Sequence, residues 1–141
     1  MIEGGLVEYI QTGLAALSPP VTVPGGFTDA LPKDTISSGT PQAWLYRSVI
    51  SRPDHVLWGQ TGWTDWHVQI DCHGTTPLLR DQLARAINVV LRGLLRPATL
   101  SDPAQTFVFG AFCEDAGKTG YSDANRTWVR SLEYVVSYQQ A

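Results

Sequence analysis

The side chains that could do chemistry in this chain are three histidines, two cysteines and the carboxylates that lie near them. His67, Asp71 and His73 alternate along one stretch, and Glu114 and Asp115 follow Cys113. Metal ligation needs three or four converging donors. If the stretch is a strand, His67 and His73 stand roughly 20 Å apart at about 3.3 Å per residue, too far to share an ion. No CxxC or HExxH spacing is present, so no metal is expected, and these residues read as the water-facing side of a half-buried strand. Nucleophilic catalysis needs a base beside a serine or cysteine. The remaining histidine, His55, sits beside Pro53 and Asp54, where a solvated side chain is the ordinary reading. Gly117-Lys118-Thr119 coincides with the end of a phosphate-binding loop, but it lacks the upstream glycine spacing and opens no helix. The expectation is therefore no catalytic residue, no cofactor and no enzyme.

The elements that would position these residues are legible around Trp63 to Gly93. Trp66, Val68, Ile70 and Cys72 point one way while His67, Gln69, Asp71 and His73 point the other, the period-two signature of a half-buried strand. Gly74 and Thr75 end it. Thr76 stands where an N-cap belongs and Pro77 at the first helical position. Leu79, Leu83, Ala86, Ile87, Val90, Leu91 and Leu94 then form one apolar stripe of a helix that Gly93 and Pro97 help to end.

The rest of the chain is read around this strand–helix unit. Leu6, Val7, Ile10, Leu14 and Leu17 predict a helix over residues 2–17, weakened by Gly4, Gly5 and Gly13. Residues 18–41 are rich in proline and glycine, which predicts a long connection without regular structure, either flexible or ordered by a partner. Ala43 to Trp58 reads as a strand with a bulge or an edge near Pro53, since proline donates nothing to a ladder. Gly59-Gln60-Thr61-Gly62 reads as the hairpin turn, with Trp58, Trp63 and Trp66 around its tip and descending arm. Thr106 to Cys113 and Thr127 to Tyr138 read as two more strands, separated by a polar turn region from Glu114 to Asn125. The last strand carries Trp128, Leu132, Tyr134, Val136 and Tyr138 on one face, interrupted by Arg130. Strands followed mostly by strands predict an α+β fold: an antiparallel-rich sheet of about four strands, with two α-helices packed on one face and a long Pro/Gly-rich loop.

Whole-chain numbers narrow the classes. At 141 residues and 43% hydrophobic content the chain fits one globular domain spanning residues 1–141. A formal net charge of −3, with no basic block, argues against a dedicated nucleic-acid grip. No apolar run approaches the ~20 residues that span a bilayer. The N-terminal MIEGGLVEYI lacks the marks of a signal peptide, which predicts a cytosolic origin and reduced, buried Cys72 and Cys113. What stands out instead is the aromatic content. Five Trp and five Tyr are residue types that dominate interface hot spots, and Trp58 and Trp63 are the pair most expected at a surface contact.

Several stretches together resemble the tail-completion, or tail-terminator, proteins of long-tailed double-stranded-DNA bacteriophages. These are the N-terminal helix and Pro/Gly-rich loop, the bulged strand SVISRPDHVLWGQTGW, the stretch DWHVQIDCHGTTPLLRDQLARAINVVLRGL and the closing RTWVRSLEYVVSYQQ. The most specific parts are Gln69-Ile70-Asp71 with Leu83-Ala84-Arg85-Ala86, and the final pattern Arg130, Leu132, Glu133, Tyr134, Val136, Tyr138. The resemblance implies a structural virion protein. It would form a ring, generally of six copies, at the head-proximal end of the tail. There it would cap the tail tube protein, stop tube growth and face the head–tail connector protein, while DNA passes through the lumen without specific binding. Trp58, Gln60 and Trp63 on one hairpin, and Lys118, Tyr121 and Arg126 in and beside the polar turn region, are then the candidate subunit or partner contacts. Two alternatives remain: a neighbouring neck protein such as a connector or stopper, and a small-ligand-binding or hydrolytic α+β domain, which would need a deep pocket with convergent polar groups.

Overall fold

The computed structural model describes residues 2–37, 39–56, 59–91 and 107–140, with side chains described over 4–37, 39–49, 64–91 and 118–136. Helix α1 (Ile2–Ala15) leads to a short strand β1 (Phe27–Thr28), then a hairpin of β2 (Gln42–Val56) and β3 (Gly59–Gly74). Helix α2 (Pro77–Leu91) follows, and a second hairpin of β4 (Phe107–Ser122) and β5 (Thr127–Gln140) completes the order. The strands form one sheet in the order β1-β2-β3-β5-β4. β1 runs parallel to β2, and every other pairing is antiparallel. The fold is α+β as expected, with five strands rather than about four.

The β3–α2 unit forms as its sequence dictates. Trp66, Val68, Ile70 and Cys72 are all buried on one face of β3. Thr76 caps α2, accepting the Leu79 backbone N–H on its Oγ1 at 3.2 Å, while its carbonyl takes the first helical bond from Arg80 N at 3.1 Å. Leu83, Ile87 and Leu91 of α2 and Leu6, Ile10 and Leu14 of α1 are buried in the same cluster as Trp44, Trp66, Ile70, Leu132 and Tyr134. Both helices therefore cover one face of the sheet. Each large side chain buried there contributes roughly 1.5–3 kcal/mol gross, most of it offset by ordering entropy. Gly13, which weakens α1 as an isolated helix, serves packing: a Cβ there would lie 2.5 Å from Val90 Cγ1 of α2. The indole N–H groups are satisfied as the core closes, Trp66 donating to Ser48 Oγ at 2.8 Å and Trp44 to Gln11 Oε1 at 3.3 Å.

Three local expectations are corrected. Residues 18–41 are tied to their own sheet rather than left for a partner. They contribute β1, Pro24 accepts from Trp44 N at 3.2 Å, and Leu31 packs with Ala43 and Leu45 on the face opposite the helices. Gly59-Gln60-Thr61-Gly62 is not the hairpin turn: all four lie in β3, whose pairing begins at Val56↔Gly59. Glu114 to Ser122 is not a turn region but the second half of β4, paired with β5 down to Ser122↔Thr127 through two irregularities between Cys113 and Lys118. Backbone pairing to a long partner strand overrode the polar composition there. The break near Pro53 is a register shift between Pro53 and His55, and among the described residues β2 has no outer neighbour beyond Tyr46 to need the missing donor.

Among the described residues no helix is long and apolar enough to cross a membrane. The turn from β3 into α2 predicts a sharp sensitivity. A Cβ on Gly74 would meet the backbone nitrogen of Arg80 at 2.4 Å, and backbone cannot yield as a flexible side chain can. Gly74→Ala is expected to lower stability by about 1–3 kcal/mol, as overpacking does, measured by urea denaturation.

Candidate functional site

The sheet face turned away from the helices holds the polar residues of β3. His67 and Gln69 are partly exposed, as the alternation suggested, but Asp71 and His73 are not open to water, each being only 4% exposed. Leu31 and its neighbours fold over one side and the β4–β5 turn over the other. Between them, Arg47, Asp71, His73 and Val129 floor a cavity of about 290 Å³ rimmed by Asp29 and Asn125.

Strand register assembles this cluster. Asp71 faces Leu45 of β2 and Ser131 of β5, while Gln69 faces Arg47. The Asp71 carboxylate accepts Arg47 Nε at 2.9 Å on Oδ2, and both Gln69 Nε2 at 2.8 Å and the Ser131 hydroxyl at 2.6 Å on Oδ1. Arg47 is half exposed while Asp71 is buried, so the ion pair runs from the surface inward and neutralises the interior charge. One step along β3, His73 Nδ1 lies 2.8 Å from Thr127 Oγ1, and Thr127 is fully buried. Burial holds the His73 pKa below the ordinary histidine value. The Asp71 charge pulls it up and Arg47 pushes it down again, and the imidazole is neutral near pH 7.

Such an arrangement can hold three strands in register. Both Asp71 oxygens are already engaged, and the Thr127 hydroxyl is out of a substrate's reach. Among the described residues no group of three His, Cys, Asp or Glu side chains comes together as a metal site. Cys72, on the opposite face, is free and buried, and burial raises its pKa so that the thiol stays protonated and unreactive. Cys113, His55 and Glu114-Asp115 have side chains outside the described residues, and Lys118-Thr119 lies within β4.

The candidate contact residues fall into two groups. Trp58 lies outside the described residues. Gln60 and Trp63 are in β3, opposite His55 and Gln139, with side chains outside the described set. Lys118 and Tyr121 are exposed on β4 and Arg126 is exposed in the β4–β5 turn. Trp63 pairs near the end of β5 while Tyr121 pairs with Trp128 and Trp128 with Gly74, so Trp63 and Tyr121 stand toward opposite ends of the sheet, roughly 35 Å apart at about 3.3 Å per residue. Sequence reasoning missed Trp128 as a surface residue: it is 38% exposed and stacks edge-on with Tyr121, ring centroids 5.0 Å apart. It also left Arg130 as an unexplained interruption. Arg130 reaches α2, bonding Asp81 Oδ1 at 3.2 Å beside the Arg80–Asp81 pair at 3.0 Å.

Two outcomes follow from the polar face. Asp71→Asn keeps one acceptor oxygen and turns its amide hydrogens against either the Arg47 or the Gln69 donor, which should cost about 1–3 kcal/mol, the range for a buried group left without a partner, read as a lowered urea midpoint. His73 gives a pH dependence. The unfolded chain takes up its proton near pH 6.5, whereas the folded chain resists until lower pH, so stability is full above that value and falls as pH drops through it. Between pH 7.5 and 5.5 the wild type should lose more stability than His73→Gln, and equal losses would exclude His73 as the source. In comparisons with known proteins, no family model matches the chain and no curated protein matches it.

Proposed function

We propose that the chain is a structural subunit of a bacteriophage tail, closing with its copies into a ring that caps the tail tube, stops its growth and provides the joint to the head connector. The observation that carries this reading is the placement of the candidate contacts at opposite ends of one sheet. A head-to-tail ring that also meets other proteins requires each subunit to present separate surfaces, each meeting a different surface of a neighbour. Two further features support it. β4 ends the sheet with no strand on its outer side among the described residues, an edge that proteins usually cover. The polar cluster of β3 is engaged internally, which leaves Tyr121 and Trp128, the exposed aromatics among the described residues, as conspicuous surface chemistry. A formal charge of −3 suits a lumen through which DNA slides, since strong phosphate contacts would add grip. The partners on this reading are further copies of the chain, the tail tube protein and the connector protein.

One observation favours a second reading, a small-ligand-binding domain: the cavity of about 290 Å³ over Arg47 and His73. It is near the low end for a ligand site, and its central carboxylate is already neutralised. A thermal shift against a metabolite panel should show no stabilisation; a saturable rise would favour this reading. Sedimentation velocity across a concentration series, with and without a divalent cation, tests the ring. The expected result is a closed species of about six subunits, as the family resemblance implies; a chain whose largest species is a dimer would count against it.

A further inference from the structure

On the helix side of the sheet a second concavity, of about 180 Å³, lies between α2 and β5. Ala84 and Leu132 contribute its apolar lining, and Arg85, Asn88 and Arg130 its polar lining. The polar lining is made of donors. Asn88 accepts the Tyr134 hydroxyl on its Oδ1 at 3.0 Å, which leaves its amide hydrogens for another acceptor. Arg85 is exposed and has no hydrogen bond or ion pair among the described residues. Arg130 shares Asp81 with Arg80 at the edge of this groove, and the exposed Arg85 adds a second guanidinium to its lining. A small recess with two guanidiniums, an amide donor and an aliphatic lining suits a side-chain carboxylate, which accepts forked bonds from arginine. A nucleic-acid backbone would call for a longer basic track than this recess provides.

The chain itself carries a fitting carboxylate. Asp123 is exposed in the β4–β5 turn and makes no ion pair among the described residues. Tyr121 and Trp128 stand exposed at the base of the same turn, residue types that anchor protein interfaces. Within one copy the turn leans away from the recess. Ser122, Ala124 and Asn125 of that turn line the cavity on the opposite face of the sheet, away from α2. We infer that the Arg85–Asn88–Arg130 recess receives the Asp123 carboxylate of a second copy, with the Tyr121–Trp128 pair packing beside it. This inference rests on the ring reading and names one of its contacts.

Arg85→Lys keeps the positive charge and adds an amine that a zero-length carbodiimide can join to a touching carboxylate. Equal amounts of ¹⁴N- and ¹⁵N-labelled Arg85→Lys protein are treated with the carbodiimide, digested and analysed by mass spectrometry. The expected product links position 85 to Asp123 in mixed-isotope pairs, and Arg85→Glu should weaken self-association at least about thirtyfold, the lower end of the effect of losing a buried charge partner. A link from position 85 to a different acid of another copy, 85–123 links confined to one isotope, or no 85–123 link at all would overturn the inference; a link to Asp81, one turn away on the same helix, is expected within each copy. The two readings separate cleanly. A closed ring by sedimentation without the 85–123 link leaves the ring standing and removes this contact. The link in a species no larger than a dimer keeps the contact and removes the ring.

Discussion

A carboxylate buried in the middle of a sheet has to be neutralised where it lies, and Asp71 sets this requirement for the whole molecule. β3 is paired on both edges from Thr64 to Gly74, and Asp71 lies within it only 4% exposed. Its odd-numbered side must satisfy a charge while its even-numbered side fills an apolar core. The solution draws one donor from each neighbouring strand and one from β3 itself: Arg47, Ser131 and Gln69. A slip of one residue would bury the charge against the helices and turn Trp66 and Ile70 away from them. The ion pair therefore specifies register more than it adds stability, since the cost of desolvating Asp71 offsets much of the attraction.

With both faces of the central strand committed, what remains for interaction lies at the periphery. α1 and α2 close the apolar side, and the β1 loop with the β4–β5 turn closes the polar side. The ends of the two hairpins, the outer edge of β4 and the groove beside α2 are left over. These are where Tyr121, Trp128, Arg85 and Arg126 stand exposed. Arg126 even occupies the left-handed region at φ 53°, a conformation uncommon for a long side chain, to close the four-residue turn between β4 and β5. A chain organised this way has its internal polar groups answered from within and its distinctive chemistry at the rims, as an assembly subunit requires.

Much of the interior was legible in the sequence because it depends on local periodicity. The alternation from Trp66 to His73, the Thr76–Pro77 cap and the stripe through Leu83 and Ile87 each carry their own geometry, and each appears in the fold. Long-range pairing was not legible. Nothing local tells that Glu114 to Ser122 will pair with β5, because that depends on a partner strand and two irregularities that keep them in step. The hairpin turn was misplaced for a similar reason: Gly59 and Gly62 look like turn residues, yet cross-strand bonds to β2 hold them in β3. The buried state of Asp71 and His73 came from the proline-rich segment folding back as β1, and its composition suggested the opposite. Of the candidate contacts, the sequence gives the residue types; only the topology separates them to opposite ends of the sheet.

The proposal that the chain completes a tail tube is tested most directly by mixing the purified protein with isolated tail tubes and counting capped ends by electron microscopy. The expected result is one added layer at a single end of each tube, formed by a ring of the chain, and no further growth when tube subunits are supplied. Tubes that stay bare and continue to lengthen in its presence would contradict it.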